Sequence, residues 1–531
     1  MEPFRYTNTS EDGGDYFSRV TVPTPQTVPT SQRVARNGAL YFGSLALPAL
    51  AAVFLVPVTV RALGPSRFGL LALAWALAEG AGMFDFGLAR TTVRFVADAT
   101  ARGAERLREI ILVSVLTQTV TGLLAGTLLF VLAPLLVKGV FTISAVEIPE
   151  AIAMFRVLAF HVPVLLALAS LRAALEGAQR FDISTALRVP GSLASVIVPA
   201  IAAPAGASLA TILWILLAVR LTLAFVSAAA VRRTLLPGRW GLPSGFKTLR
   251  EMLGYSGWVA VSAALGPALG SIDRFAVGSV IGVTGLGYYT GAAEAANRFL
   301  LIPSTAFSAL LPALAHTEAR GERDRALAAT RAAARQLATV LLPLCLALFT
   351  FAPAILNAWL GPVFAQQAGT ALRILAVGVF LGGLAHLPLA VLYGAGRPDL
   401  PAKIHIGEVI VHVPLTFLLV KTWGITGAAL AWTLRCGADW LFYEIATRRA
   451  VGRSAEDFGE EERTRRLLWL TLAFACSLGL TLWVSQMGWP VVIALVAVTL
   501  LAYAVVGWFK VLSDEERRAW LAMLSRARLR S

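Results

Sequence analysis

Apolar stretches long enough to cross a lipid bilayer recur along this chain from Ala39 to Val511, separated by short charged or Gly/Pro-containing breaks. A helix needs roughly 20 apolar residues to traverse about 30 Å of hydrocarbon. The balance of residues agrees, with 57% hydrophobic, 15% charged and a mean hydropathy of +0.71. Such values lie outside the range of water-soluble globular domains. The bilayer is therefore the solvent, and an all-α polytopic membrane protein is the expected fold class.

Reading the runs between breaks predicts about 14 transmembrane helices. Those of the first half begin near Ala39, Gly69, Ile110, Ala151, Gly191 and Ala207. Those of the second begin near Gly257, Gly291, Leu337, Leu372, Ile404, Ala428, Leu468 and Val491. The fifth, from Gly191 to Ala203, is short and contains proline, which leaves about 13 as the alternative count. Basic residues fall on alternate loops. One side carries Arg90, Arg94, Arg102, Arg106 and Arg108, then Arg172, Arg180 and Arg188, and continues so to the Arg-rich C-terminus. The other carries only Arg61, Arg67, Lys138 and Lys421. The positive-inside rule then puts both termini in the cytoplasm of a multi-pass protein of the cell membrane, as an even span count requires.

The expected organisation is a disordered cytoplasmic tail over residues 1–37, without the apolar core of a cleaved signal peptide. A lobe of helices 1–6 follows over 38–237, and a lobe of helices 7–12 over 238–450. Residues 451–531 hold a charged cytoplasmic linker, helices 13 and 14, and a tail from Ser513 whose alternating basic and apolar residues suit an amphipathic helix on the anionic leaflet. The segment Leu63-Gly64-Pro65-Ser66-Arg67-Phe68-Gly69-Leu70-Leu71 after the first span is echoed by Ile281-Gly282-Val283-Thr284-Gly285-Leu286-Gly287-Tyr288-Tyr289 after the seventh. An even number of spans separates the two copies, so the lobes are expected to be parallel repeats related by an axis along the membrane normal.

The chain carries no Walker-type phosphate loop, no HExxH, no GxSxG and no clustered metal ligands. No cofactor, metal or covalent catalysis is expected. Cys345, Cys436 and Cys476 lie in apolar stretches at unrelated spacings and read as packing residues. The formal charge of +15 would suit nucleic acid, but the basic residues sit between apolar spans rather than on a soluble face. No nucleic-acid partner is expected.

An ionisable side chain inside a span is costly in hydrocarbon and should face a cavity or a partner. Glu294 and Arg298 share a helix face at i and i+4. They form a structural ion pair, or Arg298 holds an anionic head group in an aqueous cavity; the two readings are compatible. Arg220, Asp273, Arg274, Arg435 and Asp439 are further cavity candidates, the last two again at i and i+4. Arg156, near a span end, is expected to snorkel. Glu79 and Asp85 are intramembrane acids suited to carry a proton or to pair with an arginine of the other lobe. His405, Glu408 and His412 fall on one helix face and could relay protons or bind a cation. His161 and His386 read as satisfied polar residues.

The run Val60-Arg61-Ala62-Leu63-Gly64-Pro65-Ser66-Arg67-Phe68-Gly69-Leu70, followed by Asp85-Phe86-Gly87-Leu88 and a basic loop, resembles the O-antigen (Wzx-type) flippases of lipid-linked oligosaccharides. These belong to the multidrug/oligosaccharidyl-lipid/polysaccharide superfamily. Asp273-Arg274, Trp359-Leu360-Gly361-Pro362 and Leu392-Tyr393-Gly394-Ala395-Gly396-Arg397-Pro398 extend the resemblance from about Val34 to Val451. It implies two six-helix lobes around a V-shaped cationic cavity, plus two C-terminal helices. It also implies alternating access that moves a polyprenyl-pyrophosphate-linked glycan to the outer leaflet. Asp85, Asp273 and Arg274 fall on its motifs; the other candidates rest on their placement. Implied partners are the lipid-linked glycan and membrane lipids, with polysaccharide polymerase and ligase as candidates. A peptidoglycan-precursor flippase and a cation-coupled multidrug exporter remain open, the latter opposed by the surplus of intramembrane arginine. A membrane glycan polymerase or ligase would need a sizeable outer loop, and the outer loops here are short.

Overall fold

The computed structural model describes residues 31–100, 104–236, 245–307, 310, 314, 323–451, 465, 468–469, 471–473, 475–476, 479, 489–511 and 517–518. The linker from Ser454 apart from Arg465, most of the span expected from Leu468 and nearly all of the C-terminal tail lie outside these residues.

Every regular element among the described residues is helical. In chain order these are α1 (Ser31–Gly80), α2 (Leu88–Thr100), α3 (Ala104–Leu135), α4 (Ile148–Gly177), α5 (Phe181–Ala202), α6 (Leu209–Leu235), α7 (Phe246–Val280) and α8 (Val283–Asn297). They continue with α9 (Arg323–Leu360), α10 (Pro362–Gly394), α11 (Asp399–Val451) and α12 (Trp489–Val506). Helices dominate because hydrocarbon offers no partner to an unpaired N–H or C=O, so each span must satisfy its backbone internally. Eight of the described helices are long and apolar enough to cross a membrane. Two of them, α1 and α11, each carry two expected spans joined at a non-helical glycine, Gly64 and Gly424. Large apolar side chains such as Leu124, Val131, Phe225 and Val411 point outward, as lipid-facing residues do.

Two expected boundaries move. Helix α1 begins at Ser31, so residues 31–37 are helical rather than part of a disordered tail; no proline or glycine interrupts the chain between Ser31 and Gly38. Helix α5 begins at Phe181 rather than Gly191 and has 22 residues, enough for a full crossing. Its first turns are held by Glu176, which accepts hydrogen bonds from Ser184 Oγ (2.8 Å) and Arg188 Nη2 (3.2 Å).

The halves meet along α1, α7 and α8. The repeated segments take the same backbone turn, with Gly64 at φ 70°, ψ 170° and Gly282 at φ 102°, ψ 172°. That region disfavours any residue with a Cβ. Beyond each turn a second glycine allows close approach to the other half. A Cβ on Gly69 would overlap the carbonyl of Val283, and one on Gly287 would overlap the carbonyl of Pro65. Val283 is the repeat counterpart of Pro65, and Gly287 of Gly69, so the contact is reciprocal, as a twofold relation requires. Thr142 completes the seam: its N–H donates to Gly278 O at 3.1 Å, its Oγ1 to Ser279 O at 2.8 Å, and its own carbonyl accepts from Val283 N–H at 3.2 Å. Phe68, Leu286 and Tyr289 pack into one buried cluster shared by the halves.

A further link crosses from α9. Pro57 inside α1 has no N–H, which leaves the carbonyl of Val53 without its i+4 donor. Trp359 Nε1 donates to that carbonyl at 2.6 Å. Elsewhere small and hydroxyl residues hold helices together, as is usual within membranes. Thr92, Ser114 and Ser170 connect α2, α3 and α4 through hydroxyl contacts of 2.6 and 2.9 Å.

Candidate binding cavity

Two cavities share the wall formed by Ala78, Glu79 and Leu165. The smaller, of about 350 Å³, lies toward the glycine turns and is lined by residues of both halves. The larger, of about 740 Å³, lies toward the arginine-rich loops.

Five of the sequence candidates converge on the smaller cavity: Glu79, Arg220, Arg274, Glu294 and Arg298. They come from four separate helical segments, α1, α6, α7 and the run from α8 into the following 3-10 turn. Arg274 Nη1 donates to Glu79 Oε2 at 2.8 Å, an ion pair between the halves. Arg298 pairs with Glu294 one turn before it. Arg220 has no carboxylate at ion-pair distance among the described residues; its Nη1 donates instead to His161 Nδ1 at 2.6 Å. Three guanidinium groups thus face two carboxylates. Thr59, Trp75, Ser195 and Thr290 add polar atoms to the lining.

The larger cavity is lined by Glu79, Asp85 and His405 of the sequence candidates, with Arg90, Arg172, His386 and Tyr393. Asp85 ends a 3-10 turn, where its carboxylate accepts from the Ala89 N–H at 3.1 Å and from Gln118. His386 Nδ1 bonds to the Gly382 carbonyl at 2.7 Å, satisfied as expected.

The remaining candidates line neither cavity. Asp273 is buried beside the smaller one, where Tyr289 OH donates to it. Arg435 Nη1 lies 3.4 Å from Asp439 Oδ2 and 4.0 Å from Glu408 Oε2, one buried cation between two acids. His405, Glu408 and Asp439 bring one ligand atom each within 4.8 Å of one another, a grouping that reaches across α11 to a residue outside the expected histidine face. His405 Nε2 pairs with Tyr443 OH at 2.9 Å, while His412 turns to Thr416 at 3.3 Å. Arg156 lies 5.3 Å from the Phe130 ring centroid and is exposed, in keeping with snorkelling.

Sequence reasoning missed Trp75, Thr59 and Tyr393 as lining residues and His161 as a partner of Arg220. Nothing local marks them. Residues 161 and 220 sit on different helices, and only packing of α4 on α6 brings them together.

Comparisons with known proteins agree on the architecture. The pattern of the family described as "Polysaccharide biosynthesis protein" matches residues 58–366. A protein of Shigella flexneri, by name an O-antigen transporter, is 26% identical over 424 residues, covering 78% of this chain and 99% of its own. The lipid II flippase MurJ in an inward closed conformation superposes with a TM-score of 0.67 at 11% identity, covering 89% of this chain and 99% of its own. An inward-facing multidrug resistance MATE transporter of the MOP superfamily gives 0.63 at 17% identity, covering 77% and 96%. The two solved structures establish the fold that the bundle shares.

Proposed function

We infer, from the premise that the chain belongs to the polysaccharide biosynthesis protein family of the multidrug/oligosaccharidyl-lipid/polysaccharide superfamily, that it is a flippase for polyprenyl-pyrophosphate-linked oligosaccharide. It carries this substrate from the cytoplasmic to the outer leaflet for the assembly of cell-surface polysaccharide such as O-antigen. The observation that carries the reading is the smaller cavity, where Arg220, Arg274 and Arg298 face inward from both halves. A pyrophosphate cannot enter hydrocarbon unaided, and guanidinium groups match phosphate oxygens in charge and shape. The larger adjoining cavity accommodates sugar, while the prenyl chain stays in lipid between the lobes. No covalent step is needed.

The glycine turns close one end and the cavities extend toward the basic loops, which the positive-inside rule places in the cytoplasm together with both termini. The described arrangement is then the inward state of an alternating-access cycle between lobes 38–237 and 238–450. Glu79, Asp85 and His405 line the larger cavity and are its candidates to take up a driving proton or cation; Glu408 and His412, further along α11, are the other candidates for such a relay. Polysaccharide polymerase and ligase are the partners that would consume the product.

The test is the sidedness of lipid-linked glycan in cells lacking this protein, read with a non-permeant probe of the outer leaflet. Glycan is expected to accumulate out of reach of the probe and to become reachable when the wild-type protein is restored. Glycan that reaches the outer leaflet without the protein, yet stays unpolymerised, would sink the flippase reading and reopen the enzyme alternative.

A further inference from the structure

We infer that Arg220 is the anchoring cation for the pyrophosphate and that His161 is the positioning residue that holds it without neutralising it. This rests on the head-group reading above and assigns the recognition to one side chain.

Each arginine of the smaller cavity has a polar partner, but the partners differ in kind. Arg274 and Arg298 are compensated by Glu79 and Glu294. An anion approaching either must compete with a carboxylate already in place. Arg220 is held by an imidazole. A guanidinium donates only, so the 2.6 Å contact makes His161 Nδ1 the acceptor. The proton of a neutral ring then sits on Nε2, which donates to the carbonyl of Leu213 at 3.0 Å. His161 is completely buried and packed between α4 and α6, so its ring has little freedom. The result is an arginine fixed at one nitrogen, with its full charge and its other donors available to the cavity. A glutamate at position 161 would fix the arginine as well and cancel its charge.

That difference supplies a test separating positioning from mere packing. Binding of farnesyl pyrophosphate, with farnesol as the uncharged comparison, is measured on the purified full-length protein in detergent by titration calorimetry. Arg220→Gln should weaken farnesyl pyrophosphate by about tenfold or more and leave farnesol unchanged. His161→Asn, whose amide oxygen takes the place of Nδ1 as a neutral acceptor, should bind within about threefold of wild type. His161→Glu, equally able to accept from Arg220, should lose about as much as Arg220→Gln, with a thermal midpoint no lower than that of His161→Asn. Equal behaviour of His161→Asn and His161→Glu overturns the inference. So does an unaltered Arg220→Gln alongside losses in Arg274→Gln or Arg298→Gln, an outcome that leaves the head-group reading standing. A wild-type protein that does not prefer farnesyl pyrophosphate over farnesol removes both.

Discussion

Glu408, Arg435 and Asp439 form a buried group in which one guanidinium serves two carboxylates within α11. Removing one member of a buried ion group leaves its partners charged and desolvated, at a cost of about 3–5 kcal/mol. Arg435→Met is therefore expected to lower the thermal unfolding midpoint of the detergent-solubilised protein. Adding Glu408→Gln should recover part of the loss. An unchanged midpoint in Arg435→Met would show that the acids do not depend on it. The Arg435–Asp439 pair, like Glu294 with Arg298, was legible from spacing, because i and i+4 on one helix are neighbours whatever the tertiary fold. The links of Arg220 to His161 and Tyr289 to Asp273 were not, since each joins residues on different helical segments, and for Glu79 the sequence pointed to an arginine of the other half without naming Arg274. The histidine trio shows the limit of spacing. One face can hold His405, Glu408 and His412, but Glu408 lies beside Arg435, and His412 bonds to Thr416.

Among the elements, the second half of α1 and the start of α8 close one end of the bundle through glycine. Replacing Gly69 by leucine inserts a side chain where the Val283 carbonyl already stands. The expected outcome is separation of this seam without loss of the helices. In a background with Cys345, Cys436 and Cys476 replaced, a reporter cysteine at Thr59 in the smaller cavity should then react several-fold faster with an impermeant thiol reagent applied from the glycine-turn side. Gly43→Ala, at a position with open space around it, should leave the rate unchanged. Equal rates in Gly69→Leu and wild type would mean that the seam is no barrier. The repeat itself was visible in the residues, and the matched backbone of Gly64 and Gly282 agrees with it. The carbonyl against which each following glycine packs belongs to the other half, and no local pattern names it.

At the scale of the whole molecule, the Glu79–Arg274 pair ties α1 to α7 across the cavity, and the proposed alternating-access cycle would require it to separate. Glu79 keeps 59% of its side chain exposed against 13% for Arg274, so solvent screens the pair and its worth is at most about 1 kcal/mol. Glu79→Gln should accordingly change the flipping rate by no more than about fivefold. The reversed pair, Glu79→Arg with Arg274→Glu, should transport better than either single reversal in a reconstituted leaflet-sidedness assay. Abolished transport in Glu79→Gln would instead assign the acid a role beyond pairing, such as carrying the proton. What the sequence by itself determined is the membrane as solvent, the helices that cross it and the intramembrane charges that need company. Those follow from hydropathy, spacing and the price of burying an ion, which are local quantities. Which charge meets which, and that Arg220 alone of the three cavity arginines meets no carboxylate among the described residues, was decided only when helices distant in the chain packed side by side.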